Sequence, residues 1–354
     1  MKLRNILLIV LVVLVIVAAW ATFFNPSSSV VNVGPKENVS VAVTGDVMFA
    51  RNMPGVLSMD SSPFRGVSDV TSAVDLLLIN FENAATDTDN ALKGDVPLKC
   101  DPSYVPLAKA NNNTVAALAN NHAFDYGQAG MEDTIKYLKD AGITPMGAGN
   151  TEDEAHQAVV KEVNGRKITI LNYMDSENFA EYPQEVMPYA NGSNPGYSAY
   201  DSADAQKQIA ENNDSDCIIA YMHYGNEYSN SPNENQIKMS HELIDYGADI
   251  VIGSHPHVTE GIEMYKGKPI FYSLGNFIFD QSNEATHTAY FVKLDLVENT
   301  GTCTVYPIYI SNYLPEHMSA EDGTSLLSGL SPQCEQLKVN SDGTGTLTFN
   351  LTDG

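Results

Sequence analysis

Six short apolar runs in this chain each end in a polar cluster, and their order suits only a layered fold. "VSVAVTG" (39–45) leads into "GDVM", "VDLLLIN" (74–80) into "NFEN", "TVAALAN" (114–120) into "NNHAFD", "DCIIAYMH" (216–223) into "HYGNE", "ADIVIGS" (248–254) into "GSHPH", and "KPIFYSLGN" (268–276) closes on "SLGN". Such β-branched and apolar runs, bounded by Gly, Asn and Asp, read as buried strands. "KITILNY" (167–173) reads the same way. Segments of helical period lie between them. "GQAGMEDTIKYLKDAG" (127–142) puts Met131, Ile135 and Leu138 on one face and stops at Gly142, and "SPNENQIKMSHELIDYG" (231–247) is a second helix. Strands alternating with helices predict an α/β layered domain. The later runs "AYFVKLDLV" (289–297), "CTVYPIYI" (303–310) and "GTGTLTFNL" (343–351) have no long helix between them. They predict a mixed or antiparallel sheet completing the domain, with "DGTG" (342–345) as a hairpin turn.

In open α/β sheets, ligands bind beyond the carboxyl ends of strands. The strand ends here would aim Asp46, Asn80, Glu82, Asn121, His122, His223, Glu227, His255 and His257 at one crevice. Carboxylate, amide oxygen and imidazole together suit Mn, Zn or Fe, and not a soft thiolate site. Pro256 stiffens the turn between His255 and His257 and removes a donor. Each cluster alone has a plainer reading. "GD" after a strand is usually a turn, "NNH" can be loop and cap residues, and Glu227 can be a helix-start carboxylate. Their conjunction at successive strand ends is what selects a site. His156, His241, His287 and His317 lack such settings and read as packing or surface residues.

The bulk properties narrow the partners. The 354 residues hold 19 Lys plus Arg against 44 Asp plus Glu, a formal net charge of −25. That surface repels nucleic acid and anionic headgroups, and a polyanionic substrate would need bridging cations. At the start, Lys2 and Arg4 precede an apolar run from Ile6 to Ala19 that Trp20 and Phe23–Phe24 extend. This is about the 20 residues that span a bilayer, with the positive flank cytoplasmic. The competing reading is a cleaved signal peptide, because Ala19-Trp20-Ala21 resembles a cleavage site. Either reading exports the remainder, with 25–38 as a linker. Of the four cysteines, Cys303 and Cys334 are placed to pair in an oxidising compartment, or all four are buried thiols. No C-x-x-C pair signals a structural zinc site.

The stretches "VAVTGDVMFAR", "LLINFENAAT", "LANNHAFDYGQAGMEDTIKYL", "GITPMGAGNTEDEA", "MHYGNEY" and "ADIVIGSHPHVTEGIEMYKGKPIFYSLGNFIFDQ" resemble, in order, the capsule-synthesis and poly-γ-glutamate biosynthesis family of CapA type, over residues 39–282. That family is similar to the calcineurin-like metallophosphoesterases. The resemblance implies a metallophosphoesterase-like sandwich of two mixed β-sheets flanked by helices, preceded here by an N-terminal transmembrane helix. The expected organisation is 1–24 anchor or signal, 25–38 linker, 39–282 the family domain, and 283–354 its β-rich completion. By the same resemblance Asp46 matches the first motif's aspartate, while Met48 stands where that motif has histidine. Asn80 or Glu82 takes the metal-bridging place. Asn121 is a ligand, His122 the proton donor with Asp125 beyond it, and His223, His255 and His257 are ligands. One metal position is then nearly complete and the other lacks an imidazole, so one or two divalent ions are expected.

The functional expectation is an exported, membrane-anchored component of capsule or poly-γ-glutamate production, with a metal-dependent hydrolytic site. His122 and Asp125 would deliver a proton, and Glu227 would act as a further base or as a contact to a substrate ammonium. The partners implied are an anionic polymer such as poly-γ-glutamate and membrane synthase subunits. Two other readings stand beside it: a polymer-handling subunit with a vestigial site, and a scaffold whose histidines are structural.

Overall fold

The computed structural model describes residues 36–176, 182, 186–330 and 334–351. The expected anchor or signal (1–24) and residues 25–35 of the linker lie outside the described residues. Among the described residues no helix is long and apolar enough to cross a membrane. Residues from Lys36 onward form one compact unit.

The elements, in order, are β1 (Val39–Val47), β2 (Leu76–Phe81), β3 (Thr114–Ala117), α1 (Gly127–Asp140), β4 (Thr144–Met146), β5 (Val159–Val163), β6 (Arg166–Met174), α2 (Ser202–Glu211), β7 (Cys217–His223), α3 (Glu234–Tyr246), β8 (Ile250–Ser254), β9 (Ile262–Tyr265), β10 (Lys268–Phe271), β11 (Asn276–Ile278), β12 (Thr288–Val297), β13 (Thr300–Ser311), β14 (Leu314–His317), α4 (Ala320–Leu330), β15 (Lys338–Val339) and β16 (Gly345–Asn350). Two short ribbons and several 3₁₀ turns fill the connections. The first large sheet runs β15-β16-β13-β12-β1-β2-β3-β4, with β11 also on β1 and β14 on β13. It is parallel from β1 to β4 and antiparallel from β1 to β16. The second runs β9-β10-β8-β7-β6-β5, with β10, β8, β7 and β6 mutually parallel. Residues 283–351 thus extend the sheet that β1 begins.

The two sheets pack face to face, and the period of two along each strand assigns every apolar side chain to a layer. Val41, Val43, Leu76 and Leu78 of the first sheet meet Ile168, Ile170, Ile219, Tyr221, Ile250 and Ile252 of the second in one buried cluster. The alternate positions face outward. Leu77 and Ile79 pack with Met131 and Leu138 of α1, and Leu171, Ala220 and Val251 pack with Ile209 of α2 and Leu243 of α3. Burial on both faces is why these strands read as continuous apolar runs. Helix α3 starts with a capping box between Asn233 and Gln236 and ends on Gly247 at φ 118.

One sequence expectation changes, and of the two cysteine readings the buried thiols hold. "KPIFYSLGN" is two strands in different sheets: β10 belongs to the second and β11 to the first, with Gly275 at φ 78 between them. No Cys303–Cys334 disulfide forms; all four cysteines are free buried thiols. Burial pushes the Cys100 thiol up to about 12 and raises Cys217, Cys303 and Cys334 as well.

Strand β1 carries a bulge, since Val43 pairs with Leu78 but Asp46 with Asn80, three residues against two. The extra residue reverses the strand's facing: Val47 packs with Ala42 in the outer cluster, whereas Val41 and Val43 face the other sheet. Asp46 is thereby turned towards the inter-sheet side. Gly45 permits this, because a Cβ there would lie 1.8 Å from the Gly275 carbonyl oxygen. Gly45→Ala should therefore cost roughly 3 kcal/mol or more, the upper end of overpacking penalties, read as a fall in thermal midpoint. Gly55→Ala, where nothing lies within 4 Å, should stay within about 0.5 kcal/mol of the parent.

Candidate metal centre

The inner faces of both sheets end in polar residues by simple continuation of the period. Asn80 follows Leu76 and Leu78 on β2, Glu82 comes next in the series just past its end, and His223 follows Ile219 and Tyr221 on β7. His255 and His257 lie just past the end of β8, both at positive φ, 98° and 60°. That conformation costs about 1–3 kcal/mol per residue and is held by its surroundings. The Pro256 carbonyl accepts from the Tyr228 N–H at 2.8 Å, and Ser273 Oγ donates to the Val258 carbonyl at 2.8 Å.

Two groups of side chains converge: Glu82 with His223 and His255, and Asp46 with Glu82 and His257. In each group one potential ligand atom per residue lies within 4.8 Å of the others. Glu82 belongs to both. All five side chains are buried. Among the described residues, Asp46 Oδ2, Glu82 Oε1 and His255 Nδ1 have no hydrogen-bond partner. Asp46 Oδ2 has the ring Nδ1 of His257 at 3.2 Å, but that nitrogen is also 2.9 Å from Asn276 Oδ1. Buried acceptors without donors cost about 1–3 kcal/mol each, and a divalent cation is the group that would satisfy all three. The donor set of carboxylates and imidazoles fits such an ion.

A main-chain N–H decides the choice between Asn80 and Glu82. The His122 N–H donates to Asn120 Oδ1 at 3.1 Å, so the Asn120 amide NH₂ is the donor to Asn80 Oδ1 at 2.9 Å. Asn80 must then present its own NH₂ to Asp46 Oδ1 at 2.8 Å and Glu82 Oε2 at 3.0 Å. A donor cannot ligate a cation, so Asn80 orients the carboxylates and Glu82 is the residue that can bridge. Asn121 Oδ1 lies 3.0 Å from His223 Nε2, beside the same centre. Met48 stays out of it: its side chain is part of the outer core, and its sulfur accepts the Ala50 N–H.

The protonation states suit ligation. Burial, reinforced by neighbouring His255, holds the His223 imidazole well below its usual range, and burial drives His255 down to about 3. Both rings are neutral donors at physiological pH. Burial and then the Asp46 charge push the Glu82 carboxyl well up. Burial also works against the Asp46 anion, but His257 and the Asn80 amide outweigh it and leave that carboxyl below its ordinary value.

The family model for "Bacterial capsule synthesis protein PGA_cap" matches residues 40–281. The chain belongs to this family. It is 31% identical over 321 residues to the capsule biosynthesis protein CapA of Bacillus anthracis, covering 88% of this chain and 78% of that one. It is 34% identical over 283 residues to the PGA biosynthesis protein CapA of Bacillus subtilis, covering 78% and 73%. A solved structure of a hypothetical protein from Thermus thermophilus aligns with a TM-score of 0.44 at 15% identity, covering 78% of this chain and 95% of that one.

Beside the centre of this PGA_cap chain, His122 Nδ1 lies 2.7 Å from Asp125 Oδ2. The Leu98 N–H at 2.6 Å and the Tyr182 hydroxyl at 3.1 Å fix that carboxylate. The buried Lys93 donates to the Asn121 carbonyl at 3.2 Å and lies 4.0 Å from Asp125 Oδ1. Glu227 is exposed at the rim, close enough for its charge to raise Glu82. Sequence reasoning missed Lys93, Tyr182, Asn120 and Asn276. Asn120 and Asn276 sit in "NNH" and "SLGN", where a strand-end amide is itself a signal; Lys93 and Tyr182 come from segments with no periodic pattern. His156 pairs with Asp204 and His241 with Glu263, away from the two ligand groups.

Metal binding to the metal-free chain at pH 7 should release protons from the Asp46–Glu82 pair, measured by manganese titration calorimetry in buffers of different ionisation enthalpy. His223→Ala or His255→Ala should abolish uptake at the Glu82–His223–His255 group by elemental analysis, while His156→Ala should retain it. A separate prediction concerns Glu260, three residues past His257 and outside both groups. Its Oε2 accepts from Gln236 Nε2 of α3 at 2.6 Å and its Oε1 has no partner. Burial raises this carboxyl to about 7 from 4.5. A raised folded-state pKa contributes stability below pH 4.5 that is lost as pH rises through 7. Glu260→Gln should remove that loss, so its unfolding free energy, read by denaturant titration, should match the parent near pH 4.5 and exceed it at pH 8 by about 1–3 kcal/mol.

Proposed function

We propose that this chain is an exported, membrane-anchored component of capsule or poly-γ-glutamate biosynthesis whose inter-sheet centre performs divalent-metal-dependent hydrolysis. The observation that carries the reading is the convergence of three buried ligand atoms without a hydrogen-bond partner among the described residues, Asp46 Oδ2, Glu82 Oε1 and His255 Nδ1, beside a His122–Asp125 pair. The Bacillus relatives, a capsule biosynthesis protein and a PGA biosynthesis protein, support the biosynthetic setting. The apolar run Ile6–Ala19 behind Lys2 and Arg4 supports the anchor.

Asp46, Glu82, Asn121, His223, His255 and His257 would hold the ion or ions. Bound there, a divalent metal supplies Lewis-acid polarisation and a nucleophile drawn from water. His122, with Nδ1 held on Asp125, gives a proton to the leaving oxygen or nitrogen. Asp125 fixes the ring orientation and is itself fixed by the Leu98 N–H and Tyr182. Burial of the carboxylates and imidazoles keeps bulk water from competing with them. The anionic polymer and the membrane synthase subunits are the partners this reading assigns.

Met48 favours a second reading. With its sulfur turned onto Ala50, the Asp46 position has one imidazole fewer than the resemblance requires, which suits a polymer-binding subunit with a single ion.

Purified chain loaded with manganese, zinc or iron should cleave a phosphodiester or a γ-glutamyl peptide. His122→Asn should lower kcat by about 10²–10⁴ while leaving metal content unchanged. Absence of turnover with every metal and both substrate classes leaves the binding-subunit reading.

A further inference from the structure

Arg51 lies five residues past Asp46 and sits at φ 52. Arginine has no local hydrogen bond to offset that conformation, so the surroundings must hold it. Those surroundings are specific. The guanidinium NH₂ is ion-paired with Asp280, whose side chain is 1% exposed, and the other Asp280 oxygen accepts the Asn52 N–H at 2.8 Å. The guanidinium carbon stands 5.3 Å from the Phe279 ring centroid, and Phe279 packs on His257 at 4.8 Å between centroids. A buried carboxylate, an aromatic ring and a strained backbone therefore fix this cation one ring away from the candidate centre. Its side chain remains 34% exposed.

The same rim carries a second strained residue. Tyr228 is at φ 63, its ring faces His257 at 6.2 Å, and its hydroxyl accepts from Gln281 Nε2 at 3.3 Å. Arg51, Tyr228, His255 and His257 are four of the ten non-glycine residues with positive φ among the described residues. Most of the others lie in turns between strands. Strain gathered at one mouth marks a preorganised site. On a chain of net charge −25, an anchored cation at that mouth is the feature that could draw an anion in. The guanidinium makes no hydrogen bond besides the one to Asp280 among the described residues, so its remaining N–H groups can form a two-pronged contact with a carboxylate.

We propose that Arg51 is the specificity residue of this site, binding a carboxylate of an incoming chain of γ-linked glutamates while the neighbouring unit lies at the centre. This rests on the polymer-handling reading above but does not require hydrolysis. The backbone of such a chain presents a free α-carboxylate on each residue, and an arginine fork recognises a planar carboxylate better than a lysine does.

The test is titration calorimetry of the full, manganese-loaded chain with two synthetic probes: a short γ-linked glutamate oligomer, and the same oligomer with its α-carboxylates converted to carboxamides. Arg51→Met should weaken the anionic oligomer at least tenfold and leave the carboxamide oligomer and the metal content unchanged. Arg51→Lys, which keeps the charge and the stem on Phe279, should lose three- to tenfold, and it carries the test if Arg51→Met does not fold. Equal affinity of the parent for both oligomers, no measurable binding of either, or equal losses for both in Arg51→Met would each overturn the assignment. Oligomer affinity lost in Arg51→Met with no turnover by the parent keeps the assignment and removes the hydrolase reading. Turnover by the parent with unchanged oligomer affinity in Arg51→Met does the reverse.

Discussion

The buried pair Asp46–Glu82 is the constraint around which the rest of the structure is arranged. Two carboxyls lie between sheets whose facing surfaces are otherwise aliphatic, and burying like charges together is costly unless something of opposite sign is present. Much of the local architecture answers that demand. The β1 bulge turns Asp46 inward, Asn80 gives both carboxylates its NH₂, and the His223 and His255 imidazoles stand neutral beside them. The polarity of the amide chain is anchored at one main-chain N–H, that of His122. The same loop therefore sets the donor pattern at the carboxylates and carries the ring that would deliver a proton.

Placing the candidate ligands on two different sheets has an energetic meaning. Asp46 and Glu82 come from the first sheet, His223 and His255 from the second, and the Tyr221 hydroxyl ties the two by donating to the Thr44 carbonyl at 2.9 Å. The centre exists only when the sheets are packed, so an ion bound there adds to the stability of the sandwich by mass action.

Much of this was legible before any coordinates. The runs ending at Asn80, His223 and Ser254 announce both the strands and the side of the sheet their last residues face, because the period of two persists to the end. The bulge in β1 was not legible: "VSVAVTGDV" has an unbroken pattern, and the reversal comes from the close approach of Gly275. Helix α2 went unread because "SADAQKQIAE" has one large apolar residue, and α4 because Gly323 and Gly329 interrupt "AEDGTSLLSGL"; their stability comes from the sheet faces and edges they cover. Lys93 and Tyr182 reach the centre from stretches whose composition says only loop. The choice between Asn80 and Glu82 needed the direction of a hydrogen-bond chain, which no residue pattern encodes.

The four thiols have a consequence of their own. Each is buried, and burial suppresses its ionised form, so neither oxidants nor exchange partners find a nucleophile. No covalent staple contributes to the described fold. The sandwich can thus reach the same shape in a reducing or an oxidising compartment, and crossing from one to the other asks nothing of its sulfur chemistry.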